Sequence, residues 1–214
     1  MNKATAIAML DALDALYPEA RSMLRADNPF ESLVCTMLSA QCTDARVNTV
    51  SEGLFAKYPD ARSMSEAVAC ELEEIIKPCG IFKVRARSLT LASAALVKEH
   101  GGEVPPDRES LSRLAGVGRK TAGVVLMNAF GFDEIPVDTH VYRVSRRLGL
   151  SGAETPEGVE GDLVRLIPEG RRARTHHAML WHGRRVCASR KPRCEACGLS
   201  RLCRFADANN RSEV

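Results

Sequence analysis

The run Leu111–Leu126 (Leu-Ser-Arg-Leu-Ala-Gly-Val-Gly-Arg-Lys-Thr-Ala-Gly-Val-Val-Leu) constrains this chain more than any other stretch, because two amphipathic helical pieces meet in it at Gly116-Val117-Gly118. Glycines on both sides of one apolar residue predict a tight turn with backbone angles closed to other residues. With no side chains in the way, the N–H groups of the turn, and of the helix opening near Arg119, can approach a phosphate. Val117 is expected to plug the turn into a core. The pattern is either a plain αα-hairpin with a glycine-rich corner or a helix–hairpin–helix that grips a DNA backbone without reading its bases.

Lys120 favours the second reading. It falls in the first turn of the following helix, where the helix dipole already places positive charge, so a lysine there is electrostatically misplaced. A nucleophilic amine and a lysine that contacts phosphate both remain open. Eighteen residues on, Pro136-Val137-Asp138-Thr139-His140 sets Asp138 at the N-cap of a helix whose Val141, Val144 and Leu148 share one face. Alone, Asp138 is a cap. Beside an amine nucleophile, a fixed carboxylate is also what cleavage of a bond at a sugar C1′ requires.

Charge supports a polyanionic partner through its distribution rather than its sum. The net charge is only +3 over 214 residues, but Arg171–Arg204 holds ten Lys and Arg against the single acid Glu195. Such a block is a phosphate-facing surface or a solvated basic face. Asp11 and Asp14 interrupt the N-terminal apolar run, which argues against an export signal, and no apolar run reaches the ~18 residues a membrane span needs. The expected compartment is the cytoplasm.

Nearly every segment reads as helix, and no alternation longer than about four residues suggests a strand, so the predicted fold is all-α. Ile7, Leu10, Leu13 and Leu16 or Tyr17 mark a first helix; Asn28-Pro29 caps a second, carrying Phe30, Leu33, Val34, Met37 and Leu38; Asp44–Lys57 is a third. Ser63-Met64-Ser65-Glu66 reads as a capping box opening a fourth helix that stops at Pro78. Lys83–His100, a short helix from Asp107, Lys120–Phe130, a helix from Thr155-Pro156 and one bearing His176, His177, Trp181 and His182 follow. Gln41 continues the stripe of the second helix where it should leave the core, a place usual for a capping or solvated residue. Ile81, directly after Gly80, is expected to anchor in the core, with an exposed wedge as the alternative.

Four of the eight cysteines, Cys187, Cys194, Cys197 and Cys203, crowd the C-terminal end with six, two and five residues between them. Four thiols in one short loop of a cytoplasmic chain point to a metal, and zinc and [4Fe–4S] both accept four cysteinates. Pinning Cys187 and Cys194 would hold Arg190, Lys191 and Arg193 outward as a phosphate-binding array. Cys35, Cys42, Cys70 and Cys79 are expected to be small core residues.

Together, Leu38-Ser39-Ala40-Gln41, Gly116-Val117-Gly118-Arg119-Lys120-Thr121-Ala122, Val137-Asp138-Thr139-His140 and the Cys-x6-Cys-x2-Cys-x5-Cys ending resemble the endonuclease III family of DNA glycosylases. The resemblance implies that the four cysteines bind [4Fe–4S], that Lys120 is the Schiff-base lysine and that Asp138 assists base loss. It places Gln41 and Ile81 where a damaged nucleotide is flipped out, with His140 and the hairpin residues Gly116, Gly118, Arg119 and Thr121 near the DNA. It also implies a monomer acting on double-stranded DNA with damaged bases or abasic sites, associated with the nucleoid. Two helical domains are expected: residues 22–132 as a six-helix unit holding the hairpin, and 1–21 with 133–214 around the cluster, DNA crossing the cleft between them. Ala115 stands where a proline often precedes the hairpin glycines. The adenine-excising mismatch branch of the superfamily uses an acid in the Gln-bearing helix, and Ser32–Cys42 contains none. A non-catalytic DNA-binding module is the alternative from another class.

Overall fold

A computed structural model describes residues 3–212, and among them every regular element is helical. In chain order these are α1 (Lys3–Leu16), α2 (Pro29–Leu38), α3 (Asp44–Lys57), α4 (Ala61–Ser65), α5 (Ala69–Ile76), α6 (Phe82–His100), α7 (Arg108–Arg113), α8 (Arg119–Phe130), α9 (Thr139–Leu148), α10 (Pro156–Leu166), α11 (Arg172–Arg185) and α12 (Arg204–Ser212). The chain divides into two compact units, Ser22–Phe132 and Met1–Arg21 with Asp133–Val214.

The unit 22–132 is built around α8. Ala122, Val125 and Leu126 on that helix are buried with Leu33, Val34 and Leu38 of α2, against which it packs. Helix α2 starts where the sequence indicates, with the Asn28 side chain accepting the Glu31 N–H at 3.0 Å and Pro29 in the first turn. The unit holds seven α-helices rather than the expected six, because the stretch after Pro59 breaks in two. The capping box also lies upstream of Ser63–Glu66. Asp60 is the cap, accepting the Ser63 N–H at 2.8 Å, while the Ser63 hydroxyl accepts the Asp60 N–H at 3.3 Å. A carboxylate directly after Pro59 is the stronger acceptor, so Ser63 becomes its reciprocal partner. Helix α4 then ends at Glu66, and α5 restarts after an extended Val68.

The other unit has its own core, in which Leu10 and Leu13 of α1, Val141 and Val144 of α9, Leu163 of α10 and Met179 of α11 are buried. Helix α11 packs on both α9 and α1. Helix α12 goes beyond the sequence reading. It packs on α9 and buries Ala206, although its few apolar residues give no helical stripe to read. Of the scattered cysteines, Cys35 and Cys79 are buried, Cys42 is half-buried and Cys70 is exposed, so Cys70 is not the core residue expected.

Candidate functional site

The hairpin between α7 and α8 uses its two glycines differently. Gly116 has φ 77°, and a Cβ there would meet Ser88 Cβ at 2.9 Å, Ser88 Oγ at 3.1 Å and Met37 Cε at 3.2 Å. Conformation and space both demand glycine. Gly118 instead has an extended backbone (φ −91°, ψ 177°) that any residue adopts, so the expectation of closed angles on both sides is corrected to one. A Cβ at Gly118 would meet nothing within 4 Å. Its bareness leaves an open approach to the start of α8, where no side chain caps the first N–H groups. Val117 is buried, as a plug should be. Arg119 and Lys120 are exposed and Thr121 is half-buried. The Lys120 amine has no hydrogen-bond or ion-pair partner among the described residues.

Asp138 caps α9 with one oxygen. Its Oδ1 accepts the His140 N–H at 2.8 Å and the Val141 N–H at 2.7 Å, while its Oδ2 accepts no hydrogen bond from the described residues. The segment leading to it is held by a residue the sequence did not single out. Buried His176 places Nδ1 2.8 Å from the Pro136 carbonyl, and since a carbonyl only accepts, Nδ1 carries the proton. No local pattern announces a bond that spans forty residues.

His140 is half-buried, with Nδ1 3.1 Å from Arg143 Nη2. A guanidinium only donates, so Nδ1 accepts and the ring proton sits on Nε2. Burial holds the His140 pKa below the usual histidine value; Arg143 and Arg184 push the same way, and Asp138 opposes them. The approach needs Gly183, where a Cβ would meet His140 Cβ at 2.9 Å.

Among the described residues, three that bear side chains have left-handed backbone: Gln41 (φ 58°), Ile81 (φ 48°) and Lys191 (φ 51°). Each such residue costs about 1–2 kcal/mol unless its surroundings hold it there. Gln41 lies in the turn beyond the end of α2 and is exposed. Ile81 immediately precedes α6 and is 57% exposed, which overturns the expectation that it anchors in the core. The turn folds Gly80 and Ile81 outward, because Phe82, Ala86 and Leu89 of α6 take the inward positions instead.

Cys187, Cys194, Cys197 and Cys203 all line one cavity, with about 340 Å³ of unfilled space counted out to open solvent, closed on other sides by Leu148, Val186, Pro192 and Phe205. Burial pushes the Cys194 and Cys197 thiols up, and Cys187 and Cys203 push both further in that direction. Arg147 donates to Cys187 Sγ at 3.4 Å and to the Ala188 carbonyl at 2.7 Å, and its guanidinium lies over the Phe205 ring. Among the described residues, no three His, Cys, Asp or Glu side chains form a group able to hold a single metal ion. On the loop between Cys187 and Cys194, Arg190, Lys191 and Arg193 are exposed. Arg193 is not simply held outward, since its guanidinium folds back onto the Arg185 carbonyl. Arg190 and Lys191 have no partner among the described residues. No described helix is long and apolar enough to cross a membrane.

Comparison with known proteins adds an independent line. Residues 34–169 match the family described as HhH-GPD superfamily base excision DNA repair protein. The chain is 45% identical over 208 residues to endonuclease III of Synechocystis sp., covering 97% of this chain and 95% of that one. It is 43% identical over 196 residues to endonuclease III of Bacillus subtilis, covering 91% and 90%. Its fold superposes on a trapped endonuclease III–DNA covalent intermediate with TM-score 0.94 and 41% identity, covering 99% of this chain and 100% of the other. A helix–hairpin–helix fold, matched to these relatives over nearly its whole length, places the chain in the HhH-GPD superfamily of base excision DNA repair proteins, within the endonuclease III family.

Proposed function

We propose that this base excision repair glycosylase removes oxidised pyrimidines from duplex DNA and then cleaves the abasic strand, using Lys120 as a covalent nucleophile and Asp138 as the assisting carboxylate. The observation that carries the reading is the state of Lys120, an exposed amine without a partner, in the first turn of α8 beside the open Gly118 approach. An endonuclease III 41% identical to this chain was trapped in covalent linkage to DNA, which supports an enzyme–DNA bond in this cycle.

In the proposed sequence the DNA backbone rests on the hairpin, and the damaged nucleotide turns out of the stack as Gln41 and Ile81 take up the vacated space. The neutral Lys120 Nζ attacks C1′. The N-glycosidic bond breaks with its electron pair passing to the base, which takes up one proton released by the attacking amine, and Asp138 Oδ2 faces the cationic sugar. Opening of the C1′–O4′ bond, with the second amine proton passing to O4′, gives an imine between Lys120 and the sugar. The imine makes the C2′ proton acidic; its removal expels the 3′ phosphate by β-elimination, and hydrolysis returns the free amine. A proton fixed on Nε2 lets neutral His140 donate to a phosphate oxygen. Arg119, Thr121, Gly116 and Gly118 contribute main-chain or side-chain contacts to the backbone, and Arg190, Lys191 and Arg193 add a second phosphate-binding segment.

Cys187, Cys194, Cys197 and Cys203 would hold a [4Fe–4S] cluster. Four thiols lining one cavity, in a Cys-x6-Cys-x2-Cys-x5-Cys spacing that resembles the endonuclease III family, support this cofactor. When bound, it ties the loop ends together and fixes the cations between them. The working form is taken to be a monomer, and its substrate is duplex DNA bearing damaged pyrimidines or abasic sites.

Borohydride trapping tests the reading. Incubation with abasic duplex and borohydride should give a covalent protein–DNA adduct that disappears in Lys120→Ala. A wild-type protein that binds the duplex and forms no adduct would instead be a binding module.

A further inference from the structure

Two turns in the unit 22–132 hold strained backbone at residues with side chains: Gln41 past the end of α2, and Ile81 at the start of α6. Neither is held by its own sequence. Ile is β-branched and poorly suited to left-handed geometry. One turn into α6, the buried Arg85 side chain reaches both. Its Nη1 donates to the Cys79 carbonyl at 2.5 Å, and its Nη2 donates to the Ala40 carbonyl. Ala40 directly precedes Gln41, and Cys79 lies two residues before Ile81, with Gly80 (φ 74°) between. A buried guanidinium whose bonds run to main-chain carbonyls of two separate turns is suited to setting the distance between them. Its planar fork fixes both acceptors at once, as a flexible ammonium would not.

We propose that Arg85 is a positioning residue for duplex opening: it holds the Gln41 turn against the Ile81 turn, so that the two side chains meet the DNA as one rigid pair. The proposal rests on the reading above, in which both turns enter the duplex. Separating and unstacking bases costs a few kcal/mol, and that cost is offset only if the space is filled in the same event. Two independent turns would each lose conformational freedom on insertion. A pair already locked together loses little.

The test measures opening without cleavage. In a Lys120→Ala background, 2-aminopurine is placed beside a stable abasic analogue in a duplex, and its fluorescence rise at saturating protein reports unstacking. Gln41→Ala and Ile81→Ala should each reduce the rise. Arg85→Ala should reduce it about as far as the Gln41→Ala/Ile81→Ala double variant, and adding it to that double variant should change little more. On a single strand carrying the same analogue, where nothing has to be opened, affinity of Arg85→Ala should stay within about twofold of the parent, as expected for a residue that acts through the two turns. Arg85→Lys should recover part of the rise, and it carries the same comparisons if Arg85→Ala does not fold. An undiminished rise in the Arg85 variants overturns the proposal, as does an equal loss on single strand and duplex, or strict additivity with the turn variants. If Gln41→Ala and Ile81→Ala leave the rise intact, the DNA-facing reading of the turns falls and the proposal with it. If they lower it and the Arg85 variants do not, the proposal alone falls.

Discussion

The Val141 main-chain N–H donates to Asp138 Oδ1 at 2.7 Å, and this bond sets the two carboxylate oxygens apart. Oδ1 also takes the His140 N–H, so the start of α9 is capped by that oxygen alone. Oδ2 accepts no hydrogen bond from the described residues.

Because asparagine caps a helix about as well as aspartate, Asp138→Asn removes the charge and keeps the cap. Thermal stability and DNA affinity should be unchanged, while single-turnover base release slows by on the order of 100-fold, the lower range for a positioned acid–base group. Asp138→Ala should add a loss of about 1 kcal/mol in stability from the missing cap. Base release at the wild-type rate in Asp138→Asn would remove the residue from the mechanism.

The two hairpin glycines give a contrast within three residues. Gly116→Ala forces a Cβ into Ser88 and Met37 on a left-handed backbone. It should cost about 2–3 kcal/mol in denaturant unfolding, the sum of a conformational and an overpacking penalty. Gly118→Ala meets no neighbour and no forbidden angle. It should unfold like the wild type and still bind abasic duplex more weakly, because the methyl group stands in the phosphate approach. Normal binding by Gly118→Ala would show that no phosphate comes that close.

What could be read from the sequence follows the range of the interactions. Asn28-Pro29, the Asp44–Lys57 helix and the Asp138 cap are set by neighbours within four residues, and each stands where the pattern indicates. The Asp60 cap was hidden by a second serine–acid pattern three residues on, and only the relative strength of the acceptors decides between them. Ile81 misleads for a different reason: the residues that fill the core at this turn are Phe82, Ala86 and Leu89 of α6, so Ile81 stays outside. His176 and Arg143 act on partners forty or more residues away, at Pro136 and Cys187. Single-sequence periodicity carries no trace of such bonds.

The cysteine-lined cavity predicts a coloured protein. Purified chain should show a broad absorption near about 400 nm with iron and sulfide in equal amounts, whereas a zinc site is colourless. Cys203→Ser should lose the colour and also lower stability, because Cys203 is buried among the core residues of its unit. A colourless protein carrying zinc would overturn the cofactor while leaving the four residues as ligands.

Lys191 combines an exposed cation with φ 51°. Glycine accepts that geometry freely, so Lys191→Gly should leave stability equal or raise it by up to about 1 kcal/mol. The same change should reduce the slope of log binding constant against log salt by about 1, as expected for the loss of one phosphate contact. An unchanged slope would mean that the loop's cations do not reach the backbone, and the strain at Lys191 would then need another explanation.

His177 sets a pH dependence of folding. Burial alone pulls its pKa down to about 4, and its ring packs edge-on against His176 at 5.1 Å between centroids. Above about pH 6.5, the usual histidine value, neither the folded nor the unfolded state carries the proton, and the residue leaves stability unchanged. As pH falls from there toward 4, the unfolded chain takes up the proton first, so stability declines through that window and levels off below it. The decline should approach on the order of 3 kcal/mol from this residue, the upper bound set by the size of the shift. Denaturant unfolding of wild type and His177→Gln at intervals from pH 7 to pH 4 checks it. The variant, having nothing to protonate at this position, should show a shallower fall, and parallel curves would mean that the imidazole is solvated in the folded protein.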